Sequence, residues 1–222
     1  MPEDSTRKTP VYSLVVPVHL VSHPVAQDVL LQLRDRTTPP SRFRRLTHRL
    51  SLILTIEATR RLPMMLARVD TPLEPAQGEA LEAAVVVVPV LRAGLGMVDA
   101  VLEILPDARV GHIGLQRDER TALATRYYLK LPDGLAGNTA LVVDPMLATG
   151  GSAATAIALL QDAGVQDIRL VCVIAAPEGI AAVQTAHPAV PIFTAVIDRE
   201  LNASKFILPG LGDFGDRLYG TT

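Results

Sequence analysis

The 222-residue chain has no tryptophan, only four phenylalanines and four tyrosines, and a single cysteine. So few aromatics leave little with which to stack nucleic-acid bases, and one thiol excludes an intrachain disulfide framework. Cys172 lies in the apolar run Leu170 to Ala176, where a buried structural thiol is expected rather than a nucleophile or metal ligand. Neither sign of charge is in excess, with 21 Lys and Arg against 23 Asp and Glu. No global field therefore holds a polyanion or a membrane surface, and neither nucleic acid nor membrane is an expected partner. The longest apolar run, Ala83 to Leu91, is nine residues and includes Pro89, whereas a membrane helix needs about 20. The opening Met-Pro-Glu-Asp carries acid where a signal peptide carries base, which predicts a cytoplasmic protein. His19, His23, His48, His112 and His187 show no zinc-ligand spacing, and no G-x-S-x-G elbow occurs. A protein-bound metal and serine-hydrolase chemistry both lack support.

What the chain does have is aliphatic: 49% of its residues are hydrophobic, which predicts Val, Leu, Ile and Ala packed around buried strands. A short apolar stretch, Val11 to Val18, follows a polar lead-in, and Pro24 to Arg34 has helical spacing. From Ser41 to Arg60 the residues Phe43, Leu46, Leu50, Ile53, Leu54 and Ala58 recur every three or four positions, predicting a helix with one buried stripe that Pro63 ends. Its Arg42, Arg44, Arg45 and Arg49 read as the solvated side of that helix rather than as an RNA-binding face. Beyond the Pro-rich segment Pro72 to Pro75, short apolar runs alternate with helical stretches. Strands are expected at 84–90, 109–115, 140–143, 169–175 and 192–197, with helices at 97–105, 152–163 and 179–186. The segment Thr121 to Leu131 breaks this alternation after the charged turn Arg117 to Arg120 and reads as a hairpin or flap. The expectation is one α/β domain with a mainly parallel central sheet flanked by helices, since no repeat or linker divides the chain.

The most informative stretch runs from Leu141 through Asp144-Pro145-Met146-Leu147-Ala148-Thr149-Gly150-Gly151-Ser152 into an Ala-rich helix. At a strand–loop–helix junction the free main-chain N–H groups and the helix dipole make an anion site, and glycines let the backbone approach a phosphate. The dipole alone supplies about 0.3 to 2 kcal/mol, so several donors must act together, and the Thr149 and Ser152 hydroxyls can join them. The Gly-Lys-Ser/Thr ending of a Walker loop is absent, which argues against ATP hydrolysis. Taken alone, the stretch reads equally as an ordinary strand-to-helix turn. A second Gly-rich stretch, Gly210-Leu-Gly-Asp-Phe-Gly215, satisfies G-x-G-x-x-G, but only seven residues follow it, too few for a Rossmann unit.

Asp144 through Ser152 closely resembles the loop that binds 5-phosphoribosyl 1-pyrophosphate (PRPP) in uracil phosphoribosyltransferases, including Asp followed by Pro where related enzymes carry two acids. The resemblance extends through Phe43-Arg, Glu57-Ala-Thr-Arg60, Pro89-Val-Leu-Arg-Ala-Gly-Leu-Gly-Met97, Arg109 to Glu119, Ala175-Ala-Pro-Glu-Gly179 and Pro209-Gly-Leu-Gly-Asp-Phe-Gly-Asp-Arg217, from about His23 onward. It implies a type I phosphoribosyltransferase-like fold with a flap hairpin and a C-terminal base-binding hood: an N-terminal helical arm over about 1–70, a PRPP-binding core over about 80–190 and the hood over about 191–222. The implied reaction joins uracil to PRPP, giving UMP and diphosphate, with Mg2+ carried by PRPP. Arg92 and Arg117 would meet the pyrophosphate and residues 144–152 the ribose 5-phosphate. Ile207, Gly212, Asp213 and Phe214 would hold uracil. Asp213, which also borders PRPP, and Arg117 are the implied catalytic residues. Uracil readout by main-chain groups is physically reasonable, because its alternating acceptors and donors match fixed amides. The family also implies a homo-oligomer, dimer or higher, and in some members a GTP effector.

The chain departs from the family pattern at His48, Thr55, Arg61, Gln116 and the run Arg120 to Thr125, and has Phe214 where Ala is also common, a change expected at the rim of the base pocket. The alternative is a non-catalytic regulator of the same fold that binds uracil nucleotides, which a pronounced basic face would favour.

Overall fold

A computed structural model of the chain describes residues 18–117 and 124–221. In chain order the elements are β1 (Val18–Leu20), α1 (Pro24–Arg34), α2 (Pro40–Thr59), β2 (Met64–Asp70), β3 (Pro75–Leu81), β4 (Val85–Leu91), α3 (Leu95–Ile104), β5 (Arg109–Val110), β6 (His112–Arg117), β7 (Ala124–Lys130), β8 (Thr139–Val143), β9 (Met146–Leu147), α4 (Gly151–Asp162), β10 (Asp167–Ala175), α5 (Pro177–Ala186), β11 (Ile192–Ile197), β12 (Glu200–Leu201), β13 (Ile207–Leu208) and α6 (Phe214–Tyr219).

The strands that read as unbroken apolar runs are buried on both faces, and their alternation appears only once the layers are separated. Val85 and Val87 of β4, Leu141 and Val143 of β8, and Val171 and Val173 of β10 face a core made with α1, α2, α3 and α6. Val86, Val88, Ala140, Val142, Leu170 and Cys172 point the other way, onto α4 and α5. A strand has a side-chain period of two, so burial of both sides requires a continuous hydrophobic run. Cys172 is fully buried, and desolvation pushes its thiol up to about 12, which makes it the inert core thiol expected.

The main sheet runs β1-β11-β10-β8-β4-β6-β7, with β5 on β4 and β9 on β10. Among the described residues every ladder in it is parallel except β6 with β7. The chain leaves β4 toward β6 on one side and returns to place β8 on the other. The order therefore reverses between β4 and β8, and a crevice opens there at the carboxyl ends of the strands, where open α/β sheets bind ligands.

Two features differ from the sequence expectation. The helical arm stops at Thr59, and residues 64–81 form a separate antiparallel hairpin in register from Met64 with Leu81 to Asp70 with Pro75. The Thr71 hydroxyl, bonded to Glu74 at 2.7 Å, closes its turn. In α2 the buried surface is wider than one apolar stripe: Thr47, Ser51 and Thr55 are also enclosed, because α1, α3, α6 and the sheet surround the helix. Its arginines do lie outside, Arg42 on Gln32 and Arg44 on the Leu218 carbonyl. The stretch 11–17 and the charged turn through residues 118–123 lie outside the described residues; the flap is described as β7, paired with β6.

Candidate active site

The crevice is built from three turns. The first follows β4. Arg92 to Gly94 lead into α3, and a side chain on Gly94 would place its Cβ 2.4 Å from the Val143 carbonyl oxygen and 2.7 Å from that of Val90. Only glycine lets this turn lie so close to the end of β8. Arg92 is 61% exposed on its side chain and points toward the C-terminal segment, with Nη2 3.7 Å from Asp216.

The second turn follows β8. Asp144 N–H donates to the Val171 carbonyl at 3.1 Å, and the Pro145 carbonyl accepts from both Val173 and Ile174 at 3.0 and 3.1 Å. The two-residue β9 then pairs with Ile174 and Ala175. The loop is thus fastened along β10 before Gly150, at φ 81°, turns it into α4 with no side-chain cap. The first N–H groups of an uncapped helix seek an outside acceptor, and the dipole favours an anion. A glycine the sequence reading assigned no role completes the support. Gly179 in the first turn of α5 would, with a Cβ, meet the Ala148 and Leu147 carbonyls at 2.5 and 2.7 Å. Its signal was its place in Ala-Pro-Glu-Gly179, two residues after the Pro that starts α5.

Asp144 is half-buried at the end of β8. Desolvation pushes its pKa up to about 7, opposed only by the Met146 amide at 3.4 Å. A carboxyl poised near neutrality, with few partners of its own, suits hydrogen bonding to ribose hydroxyls.

The third turn is the hood. β12 and β13 form a short ladder, tied to α5 by the Leu201 N–H on Glu178 at 3.0 Å. Gly210 and Gly212 then take φ of 60° and 82°, and a Cβ on Gly210 would sit 2.1 Å from the Ile207 carbonyl. Asp213 caps α6 by accepting Asp216 N–H at 2.9 Å. A Cβ on Gly215 would lie 3.4 Å from Asp213 Oδ1 and 3.9 Å from Arg92 Nη2, so the hood and the turn after β4 meet at this point. The Tyr219 hydroxyl, 3.3 Å from the Arg92 carbonyl, makes a second link. Phe214 was expected at the pocket rim. Its ring is instead buried in the core, edge-on to Phe43 with centroids 5.0 Å apart, so only its main chain can face a base. Arg117 ends β6 on the same side of the sheet, and its side chain lies outside the described residues.

A cavity of about 920 Å³ lies elsewhere, at the opposite edge of the sheet between β1, the start of β10 and the end of α2. Its size does not make it the reaction site. Two of the three guanidiniums that line it are already engaged, Arg60 by Glu57 and Arg169 by Asp167 and the Ala58 and Arg61 carbonyls, and it lies away from the switch point.

A parallel sheet with a glycine-built anion loop at its switch point and a hood over the same crevice is the architecture of a type I phosphoribosyltransferase. The family model for uracil phosphoribosyltransferase matches residues 20–221. The chain is 50% identical over 205 residues to the uracil phosphoribosyltransferase of Dictyoglomus thermophilum, covering 92% of this chain and 99% of that one. It is 50% identical over 202 residues to that of Clostridium perfringens, covering 90% and 97%. The solved structure of AQ2163 protein from Aquifex aeolicus superposes with a TM-score of 0.89 at 33% identity, covering 93% of this chain and 99% of that one. The chain belongs to the uracil phosphoribosyltransferase family.

Proposed function

We propose that this protein transfers the phosphoribosyl group of PRPP to N1 of uracil, giving UMP and diphosphate, in one domain that combines arm, PRPP-binding core and hood. The observation that carries this reading is that the turn after β4 approaches both of the others: a Cβ on Gly94 would meet the Val143 carbonyl just before Asp144, and one on Gly215 would lie within 4 Å of both Arg92 and Asp213. The α4 N-terminus with Thr149 to Ser152 takes the 5-phosphate, Asp144 orients the ribose hydroxyls, and Arg92 with Arg117 receives the pyrophosphate. A guanidinium forks two bonds onto phosphate oxygens and keeps its charge throughout, so it stabilises the leaving group as negative charge builds. Uracil lies on the main chain of Ile207 and Gly212 to Phe214. Asp213 stands beside the reacting centre, to manage the uracil proton or hold a water. Catalysis is by positioning and charge, with no covalent intermediate.

Among the described residues no three His, Cys, Asp or Glu side chains converge to hold a metal. That donor set fits a Mg2+ that arrives on PRPP and keeps mostly phosphate, hydroxyl and water ligands, with Asp144 and Asp213 as the carboxylates that would hold its waters. Bound there, the ion would neutralise pyrophosphate charge. The regulator alternative is not favoured by a net charge of −2. No helix among the described residues is long and apolar enough to cross a membrane, in keeping with a cytoplasmic enzyme. The hairpin β2–β3 supports a homo-oligomer: Met65, Leu66, Val69 and Leu73 are 50%, 82%, 61% and 96% exposed on a two-stranded unit that packs chiefly on itself. A lone hairpin with an apolar surface is stabilised by a partner.

The test is UMP formation from PRPP and uracil with Mg2+, beside cytosine and hypoxanthine, with and without GTP, and in Asp144→Asn. Turnover with uracil alone, lost in the variant, is expected. No turnover with any base, under either condition, would discard the enzyme reading.

A further inference from the structure

The hood has little secondary structure of its own, and two arginines from behind hold it. Arg34, the last residue of α1, forks onto Asp198, with Nη1 to Oδ2 at 2.9 Å and Nη2 to Oδ1 at 2.6 Å. The same Nη1 reaches the Gly210 carbonyl at 2.7 Å. Asp198 follows β11 with its side chain only 3% exposed, and it accepts the Gly210 N–H at 3.0 Å. Both main-chain groups of Gly210 are thus tied to one ion pair. One residue on, the Leu211 carbonyl accepts from Arg217 Nη1 at 2.8 Å. That guanidinium also bonds the Leu33 and Asp35 carbonyls, the latter at 2.6 Å, and lies 4.5 Å over the Phe43 ring.

We propose that Arg34, Asp198 and Arg217 are positioning residues that set the main-chain geometry of the hood and thereby its selectivity for the base; this rests on the hood being the uracil site. A pocket that reads a base with amides and carbonyls has no side chain to adjust. Its donors must be held within about 0.5 Å of their working positions, yet Gly210 and Gly212 form the freest kind of backbone. The clamp satisfies the main-chain groups of Gly210 and Leu211 with planar, charged forks, leaving neighbouring groups to address the base. Removing one partner strands the other as a buried charge, so the loop shifts rather than merely loosens. None of these bonds reaches residues 144–152, so the effect falls on the base and not on PRPP.

The experiment is steady-state kinetics of Arg34→Lys and Asp198→Asn with uracil and PRPP varied separately, alongside their thermal midpoints. In each the KM for uracil is expected to rise about tenfold or more while the KM for PRPP stays within about twofold. An unchanged uracil KM, or equal rises in both, would overturn the proposal. Amide hydrogen exchange of the unaltered protein gives a readout independent of whether the variants fold. Protection at Gly210 approaching that of β11 is expected, and exchange as fast as an exposed loop would also overturn it. Absence of UMP formation by the unaltered protein would remove the base-site reading, while Gly210 exchange still judges the clamp.

Discussion

The two halves of the active site are held by different means. The phosphate loop is one contiguous strand, turn and helix whose supports are the adjacent β10 and the first turn of α5. The hood is supported across 164 to 184 positions of chain, by Arg34 on Asp198 and by Arg217 on the end of α1. The first half is a local motif placed on a sheet, and the second exists only because α1, α2 and α6 come together beneath it. Damage to the α-helical layer should therefore disturb the base, and damage around α5 should disturb PRPP.

The largest break is expected from Phe43→Ala. Phe43 is fully buried between Phe214 and the Arg217 guanidinium, so truncation should cost about 3–5 kcal/mol in urea unfolding. Enzyme that remains folded should show a higher KM for uracil. Gly179→Ala tests the other half. Its Cβ would meet two loop carbonyls, and a loss of about 1–3 kcal/mol with a raised KM for PRPP and little change for uracil is expected. Parallel changes in both constants would erase the distinction.

Asp144→Asn sharpens the comparison through pH. Burial raises the Asp144 pKa from the ordinary 3.8 to about 7, so the folded protein keeps this proton after the unfolded chain has lost it. The contribution of this group to wild-type stability is full below about pH 4, falls as pH rises toward 7 and is level above. The Asn variant escapes this loss. Its unfolding free energy, measured in urea, should exceed that of wild type by a margin that grows from pH 5 to pH 8, reaching about 1–2 kcal/mol once solvent access to the residue is allowed for. Its turnover should be lost. The smallest effect is expected for Arg45→Ala on the exposed side of α2, within about 0.5 kcal/mol and with kinetics unchanged.

The backbone course of the proposed phosphate loop was legible because it is contiguous: Asp144 to Ser152 carries strand end, glycine turn and helix start in nine letters. The strands were legible because burial on both faces demands unbroken apolar runs. The hairpin of β2 and β3 was not. Met64 to Ala67 shows no alternation, and Pro72 and Pro75 read as a connector; only cross-strand pairing makes these residues strands. Phe214 was expected beside the base from the resemblance, but the direction of its ring depended on Phe43, 171 positions earlier.

By itself the sequence determined the α/β class, the buried thiol, the glycine turn from strand to helix and the order of the motifs, since each rests on residue type and on spacings of a few positions. The tertiary structure decided that β4 and β8 lie side by side with the reversal between them, that Arg92 faces Asp216, and that Arg34 and Asp198 hold Gly210. Those contacts join residues distant in the chain, and their geometry follows from how layers pack rather than from any local pattern of letters.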